Sequence, residues 1–227
     1  MALADSTRQR GLRIPRRALY QTVTVALGAL PGAWLLTGLV RVLLGDFDAL
    51  GPEPIDTLTR ETGQWALRLL LASLAITPLR VWLGWRVLAP LRRTVGLLAF
   101  AYALMHLLTY AIGDQGLLLP GPDSDTAPSA LSAIGEDIAE RPYITVGFSA
   151  FLVLLLLAAT STRASIRRLG RRWQTLHRLV YAAALLAVLH FLWLVKLDVR
   201  EPAIYAAVLG ALLLLRIPLL RRLALAR

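Results

Sequence analysis

RRWQTLHRLVYAAALLAVLHFLWLV, residues 171–195, decides what kind of protein this is. Two arginines and a tryptophan open it, and about 20 residues of nearly unbroken hydrocarbon follow, enough to span a bilayer as a helix. That run holds His177 and His190, two of the three histidines in the chain. Ionisable side chains inside a span are costly, so each is a candidate functional residue.

The rest of the chain resembles this stretch in composition. Of its 227 residues 57% are hydrophobic, and the mean hydropathy is +0.61. Soluble domains sit nearer 45–50% apolar, so a polytopic membrane protein is expected. The net charge of +11 raises the question of nucleic acid. The basic residues, however, fall in short clusters between apolar runs, as in the cytoplasmic loops of membrane proteins, and no nucleic-acid partner is expected. Cysteine is absent, which excludes disulfides, iron–sulfur clusters, thiolate metal sites and covalent haem attachment.

Working outward, residues 1–17 form a basic N-terminus with Arg8, Arg10, Arg13, Arg16 and Arg17. An uncleaved first span over 18–44 follows, too long for a signal-peptide core, with Gly28, Pro31 and Gly32 expected to bend it. A loop rich in acids and turn formers covers 46–61. The second span, 63–79, carries Arg68, and a basic loop follows with Arg80, Arg86, Arg92 and Arg93. The third span, 95–112, carries His106. The longest loop, 113–141, holds the low-complexity patch PGPDSDTAPSA. It then places Leu131, Ile134 and Ile138 at helical spacing, which predicts a short surface helix ended by Pro142. The fourth span is 143–159, the opening stretch is the fifth, and a connector over 196–202 leads to a sixth, 203–220, and a basic tail.

Charge orients these spans. The N-terminus, the second and fourth loops and the C-terminal end hold 19 of the 25 Lys/Arg, whereas the alternate loops hold 13 of the 14 acids. The positive-inside rule then predicts an all-α six-transmembrane-helix bundle with both termini cytoplasmic. The transmembrane domain is 18–222 and the cytoplasmic tail 223–227.

In that orientation the third and fifth helices both run outward. His106 and His190 fall at similar depth in the outer half of the bilayer. Two neutral imidazoles facing each other across a bundle core can ligate one haem iron from both sides. His177 lies roughly 20 Å below His190 and, on an ideal helix, roughly 140° around from it. No histidine on the third helix matches its depth, so an inner haem there needs an unusual ligand. The plainer reading of any of the three is a hydrogen-bonded packing residue. Arg68 calls for an anionic partner, for which a haem propionate is one candidate; otherwise its stem snorkels to the outer interface. Trp34, Trp65, Tyr110, Tyr143, Trp173 and Trp193 read as interfacial belt residues, and Trp173 and Tyr181 could instead line a quinone or flavin site. No Gly-rich dinucleotide fingerprint is present, so electron donor and acceptor must both come from outside.

At these residues the chain resembles a known family. The stretches TGQWALRLLLASLAITPLR (62–80), RRTVGLLAFAYALMHLLTY (92–110), ERPYITVGF (140–148) and LGRRWQTLHRLVYAAALLAVLHFLWLVK (169–196) are similar to the haem-binding membrane subunits of periplasmic methionine sulfoxide reductase systems, within the ferric-reductase-like transmembrane group. The resemblance implies b-type haem on His106 and His190, with His177 a ligand candidate for a second haem and FMN a further candidate cofactor. It implies an electron-transfer subunit rather than a catalytic one, in the bacterial inner membrane. Its electrons would come from the quinone pool or a cytoplasmic flavin reductase and pass to a periplasmic molybdopterin-containing subunit that reduces methionine sulfoxide. The loop at 120–130 is longer than the family pattern and the C-terminal tail is short. Two rivals accompany this reading: a self-standing ferric or quinone-linked cytochrome b, and a haem-free scaffold or permease with structural histidines.

Overall fold

In hydrocarbon a backbone has no hydrogen-bond partner but itself, so long uncharged runs close into helices. The computed structural model describes residues 16–116, 127–195 and 198–216. All regular elements among the described residues are helical. They are α1 (Arg16–Leu43), α2 (Pro54–Trp82), α3 (Leu91–Thr109), α4 (Ala127–Glu140), α5 (Pro142–Ala159), α6 (Arg163–Leu169), α7 (Arg171–Leu176), α8 (Val180–Leu194) and α9 (Arg200–Leu214). Most of the expected basic N-terminus (1–17), the loop at 117–126, the end of the expected sixth span and the tail 223–227 lie outside the described residues.

Among the described residues five segments are long and apolar enough to cross a membrane: Arg17–Leu43, Phe47–Trp82, Leu91–Asp114, Pro142–Ala159 and Arg171–Leu194. The sixth expected span corresponds to α9, which is 15 residues long as described. Leu27, Leu30 and Leu36 of α1, Leu152, Leu155 and Leu156 of α5, Leu185 of α8 and Ile204 of α9 all point outward and exposed. Such apolar exteriors suit lipid rather than water. This is a multi-pass membrane protein.

Within the bundle α2 packs along α3 and α5 along α8, while α1 lies on α3 and α9 bridges α8 and α2. The core joins Leu67, Leu70, Leu71 and Leu74 of α2 to Ala99 of α3, Leu154 of α5, Ala183, Ala184 and Val188 of α8, and Leu209 of α9. Ala99, Ala183 and Ala184 are wholly enclosed, the small contact residues that let membrane helices approach closely.

Three boundaries differ from expectation. Two helical turns of α2 lie inside the stretch read as an acidic loop, because Pro54 supplies a preset helical φ at the first position and Asp56 suits the positive end of the helix dipole. The opening stretch is one continuous helical span, Arg171–Leu194, but its α-helical parts α7 and α8 are joined through a 3₁₀ turn over His177–Leu179. The fourth loop carries the short helix α6, capped by Thr162, whose side chain accepts from the Ser165 N–H at 3.0 Å. A chain reversal at Gly170, φ +51°, then turns the backbone into α7.

Two devices tie distant helices together. The Tyr102 hydroxyl of α3 donates to the Gly28 carbonyl at 2.8 Å and accepts from the Gly32 N–H at 2.7 Å, sitting at an i, i+4 pair of α1 beside Pro31. Pro78 has no N–H for the Leu74 carbonyl one turn earlier. Arg216, just past α9, supplies that donor through Nη2 at 2.5 Å and also donates to the Tyr181 hydroxyl.

The predicted surface helix is α4. Its Asp137 accepts from the Tyr110 hydroxyl at 2.5 Å and from Gln115 Nε2 at 3.0 Å, and pairs with Arg141 at 3.1 Å. Tyr110 opens a π-helical turn over Tyr110–Asp114 that continues α3, so the surface helix is pinned to the end of a span. The Asp137 carboxylate holds the exposed Arg141 guanidinium above its ordinary pKa.

Candidate functional site

His106 stands near the end of α3 and His190 near the end of α8, and the bundle brings them face to face. Their ring centres are 6.1 Å apart and the ring planes are 72° to each other. His106 Nδ1 lies 2.8 Å from the Thr59 carbonyl oxygen of α2, and His190 Nδ1 lies 2.7 Å from that of Tyr143 on α5. A carbonyl oxygen can only accept, so in both rings Nδ1 carries the proton. A neutral imidazole protonated at Nδ1 presents its lone pair at Nε2, the nitrogen that binds a metal in this arrangement, and the carbonyl bond fixes ring orientation and raises ligand basicity.

One metal ion bonded to both Nε2 atoms at about 2.0–2.1 Å needs ring centres roughly 6 Å apart. The observed spacing meets that requirement. The donor set is two neutral nitrogens with no carboxylate or thiolate, which suits a haem iron, whose other four ligands come from the porphyrin. The residues present therefore fit the group expected from the sequence.

The packing behind each ring was not anticipated. Gly63 of α2 lies under His106, where an added Cβ would stand 3.0 Å from Nδ1; Gly147 of α5 lies under His190, where it would stand 2.6 Å from Nδ1. Sequence reading missed both glycines and both carbonyls. The signal was present as a repeat, because Thr59–His106 and Tyr143–His190 have the same separation of 47 residues.

His177 is placed apart from this pair. Its Nε2 is 3.1 Å from the Thr160 hydroxyl at the end of α5, and its ring stacks on Trp173 at 4.0 Å between centres. The hydroxyl lies closer, 2.7 Å, to the Leu156 carbonyl and donates there, so it accepts from His177 Nε2–H. Trp173 Nε1 donates to the Thr160 carbonyl at 3.0 Å. Histidine and tryptophan together clasp one helix end, and this imidazole has the opposite tautomer from the other two.

Arg68 has a protein anion. Its Nη2 lies 3.7 Å from Glu201 in the first turn of α9, Nε donates to the Tyr205 hydroxyl at 2.9 Å, Nη2 donates to Gln64 at 2.7 Å, and its guanidinium sits 5.0 Å over the Trp65 ring. Of the expected belt residues, Trp34 and Trp193 are exposed in that manner. Tyr110 and Trp173 instead make the interhelical bonds described above.

Comparison with known proteins identifies a family. Residues 62–188 match the family described as ferric reductase like transmembrane component. Three relatives carry the name protein-methionine-sulfoxide reductase heme-binding subunit MsrQ. That of Xanthomonas euvesicatoria pv. vesicatoria is 47% identical over 194 residues, 85% of this chain and 83% of its own. That of Xanthomonas axonopodis pv. citri is 51% identical over 167 residues, covering 73% and 71%, and that of Rhodospirillum rubrum is 49% identical over 175, covering 76% and 78%.

The chain belongs to the MsrQ family.

No solved structure matches it. The ferric reductase like match, residues 62–188, includes Gly63, His106, Gly147 and His177 and ends just short of His190.

Proposed function

We propose that the protein is a membrane cytochrome b of the bacterial inner membrane, in which His106 and His190 would hold one b-type haem. The observation that carries this is the facing pair of imidazoles, each with Nδ1–H committed to a main-chain carbonyl and Nε2 left as the lone-pair nitrogen. Held between these two imidazoles, a haem would supply one-electron transfer rather than oxygen binding.

The chain's own residues do the rest. Thr59 and Tyr143 orient the rings, and the enclosed core around Ala99, Ala184 and Val188 excludes water from between the hairpins. The charge distribution supports six spans with both termini cytoplasmic, an orientation in which the histidine pair would lie toward the periplasmic side. The protein passes electrons from the quinone pool or a reduced flavin outward, to a periplasmic molybdopterin-containing methionine sulfoxide reductase subunit. The relatives' shared name supports this reading. His177 serves as the clasp on α5 and not as a ligand of this haem. Arg68, paired with Glu201, orders the outer ends of α2 and α9 and stands as the donor for a propionate if one reaches it.

The test is a reduced-minus-oxidised spectrum of the full-length protein purified in detergent. Wild type is expected to show b-haem bands that vanish in His106→Ala and in His190→Ala. A colourless wild type, or bands unchanged in both variants, overturns the reading.

A further inference from the structure

The two histidine hairpins are built to one plan, and the plan turns on a glycine. On each facing helix the acceptor carbonyl lies one turn before a glycine: Thr59 before Gly63, Tyr143 before Gly147. A helical side chain leans toward the N-terminus and covers the turn before its own Cα, so a residue one turn on shields the carbonyl from lateral approach. Only glycine leaves that carbonyl open to an imidazole. A Cβ at Gly147 would lie 2.6 Å from His190 Nδ1 and 2.8 Å from Cε1; at Gly63 it would lie 3.0 and 3.1 Å from the same atoms of His106. The same device appears a third time without a histidine, where Tyr102 reaches the Gly28 carbonyl over Gly32, whose Cβ would lie 3.1 Å from the hydroxyl.

We propose that Gly63 and Gly147 are positioning residues for the two axial ligands. By omitting a Cβ, each lets its imidazole reach a main-chain carbonyl, and so sets the tautomer, the ring direction and the donor strength of Nε2. The proposal rests on the haem reading above. Gly96 of α3 and Gly210 of α9 are not built this way, since a Cβ at either meets nothing within 4 Å, whereas at Gly28 and Gly38 of α1 it would meet a leucine side chain.

The full-length protein in detergent is compared as wild type, Gly147→Ala, Gly63→Ala, Gly96→Ala and Gly210→Ala. The readouts are the g-values of the ferric haem by electron paramagnetic resonance, the midpoint potential, and the rate of haem loss to an apoprotein trap. Gly147→Ala is expected to lose haem about 10–100-fold faster, the usual size of an outer-shell defect, with shifted g-values and potential. Gly63→Ala should move the same way by less, and the two controls should match wild type. Unchanged g-values and potential in both Gly147→Ala and Gly63→Ala overturn the proposal while leaving the haem reading intact. A colourless wild type defeats the haem reading instead. The cradle is then read from nitrogen-15 histidine resonances of the wild-type protein, which also serve if Gly147→Ala does not fold. Two Nδ1–H tautomers are expected beside one Nε2–H, and three Nε2–H tautomers overturn the proposal.

Discussion

His190 and His177 stand on one stretch of chain, and the protein uses their two ring nitrogens in opposite ways. In the proposed orientation, His190 at the outer end gives Nδ1–H to the Tyr143 carbonyl and has its ring centre 6.1 Å from that of His106. At the inner end His177 commits Nε2 to Thr160 and lies flat on Trp173. The difference comes from the partner helix rather than from the histidine. Both face α5, but Gly147 opens a carbonyl to the outer ring, whereas Thr160 offers the inner ring a hydroxyl at a helix end. On the proposed reading, a histidine in a span becomes ligand or clasp according to what the neighbouring helix presents.

Removing the outer pair should have the largest effect. His190→Ala is expected to leave less than about a tenth of the wild-type haem, since loss of even an outer-shell partner costs 10–100-fold in metal affinity; haem-to-protein ratio after purification measures it. Near-normal haem in that variant would dissolve the contrast between the two ends. Next comes Asp137→Asn, which removes a charge-assisted acceptor from Tyr110, Gln115 and Arg141. A stability loss of about 1.5–3 kcal/mol is expected, concentrated in α4 and read by hydrogen exchange.

His177→Ala tests the clasp. It should leave the outer haem bands and potential unchanged while lowering thermal stability by about 0.5–1.5 kcal/mol. Thr160→Val should reproduce that loss, and a haem deficit in His177→Ala would make the inner histidine a ligand after all. The smallest effect belongs to Tyr102→Phe, which keeps the ring and removes the hydroxyl between Gly28 and Gly32. About 0.6 kcal/mol is expected, the average for an interhelical hydrogen bond in a membrane protein, with no spectral change.

What sequence disclosed was whatever is written locally. Hydropathy located five of the spans, and helical spacing of Leu131, Ile134 and Ile138 found α4. The His106–His190 pairing also followed, because equal depth on two helices can be counted from the flanking arginines. The cradle did not, since the value of Gly63 and Gly147 lies in residues more than forty positions away. The Arg68–Glu201 pair was hidden for the same reason: Glu201 read as connector until α9 placed it beside α2. The break over His177–Leu179 left no proline or glycine to announce it.

The Arg216 bond to the Leu74 carbonyl has a bearing on how the protein is made. Pro78 leaves the second span one donor short at the moment that span enters the membrane, and the missing donor lies near the far end of the chain. During synthesis α2 would wait with an open carbonyl until α9 and Arg216 arrive. Its final hydrogen bond is therefore a completion signal, and a chain truncated before Arg216 should insert but not settle.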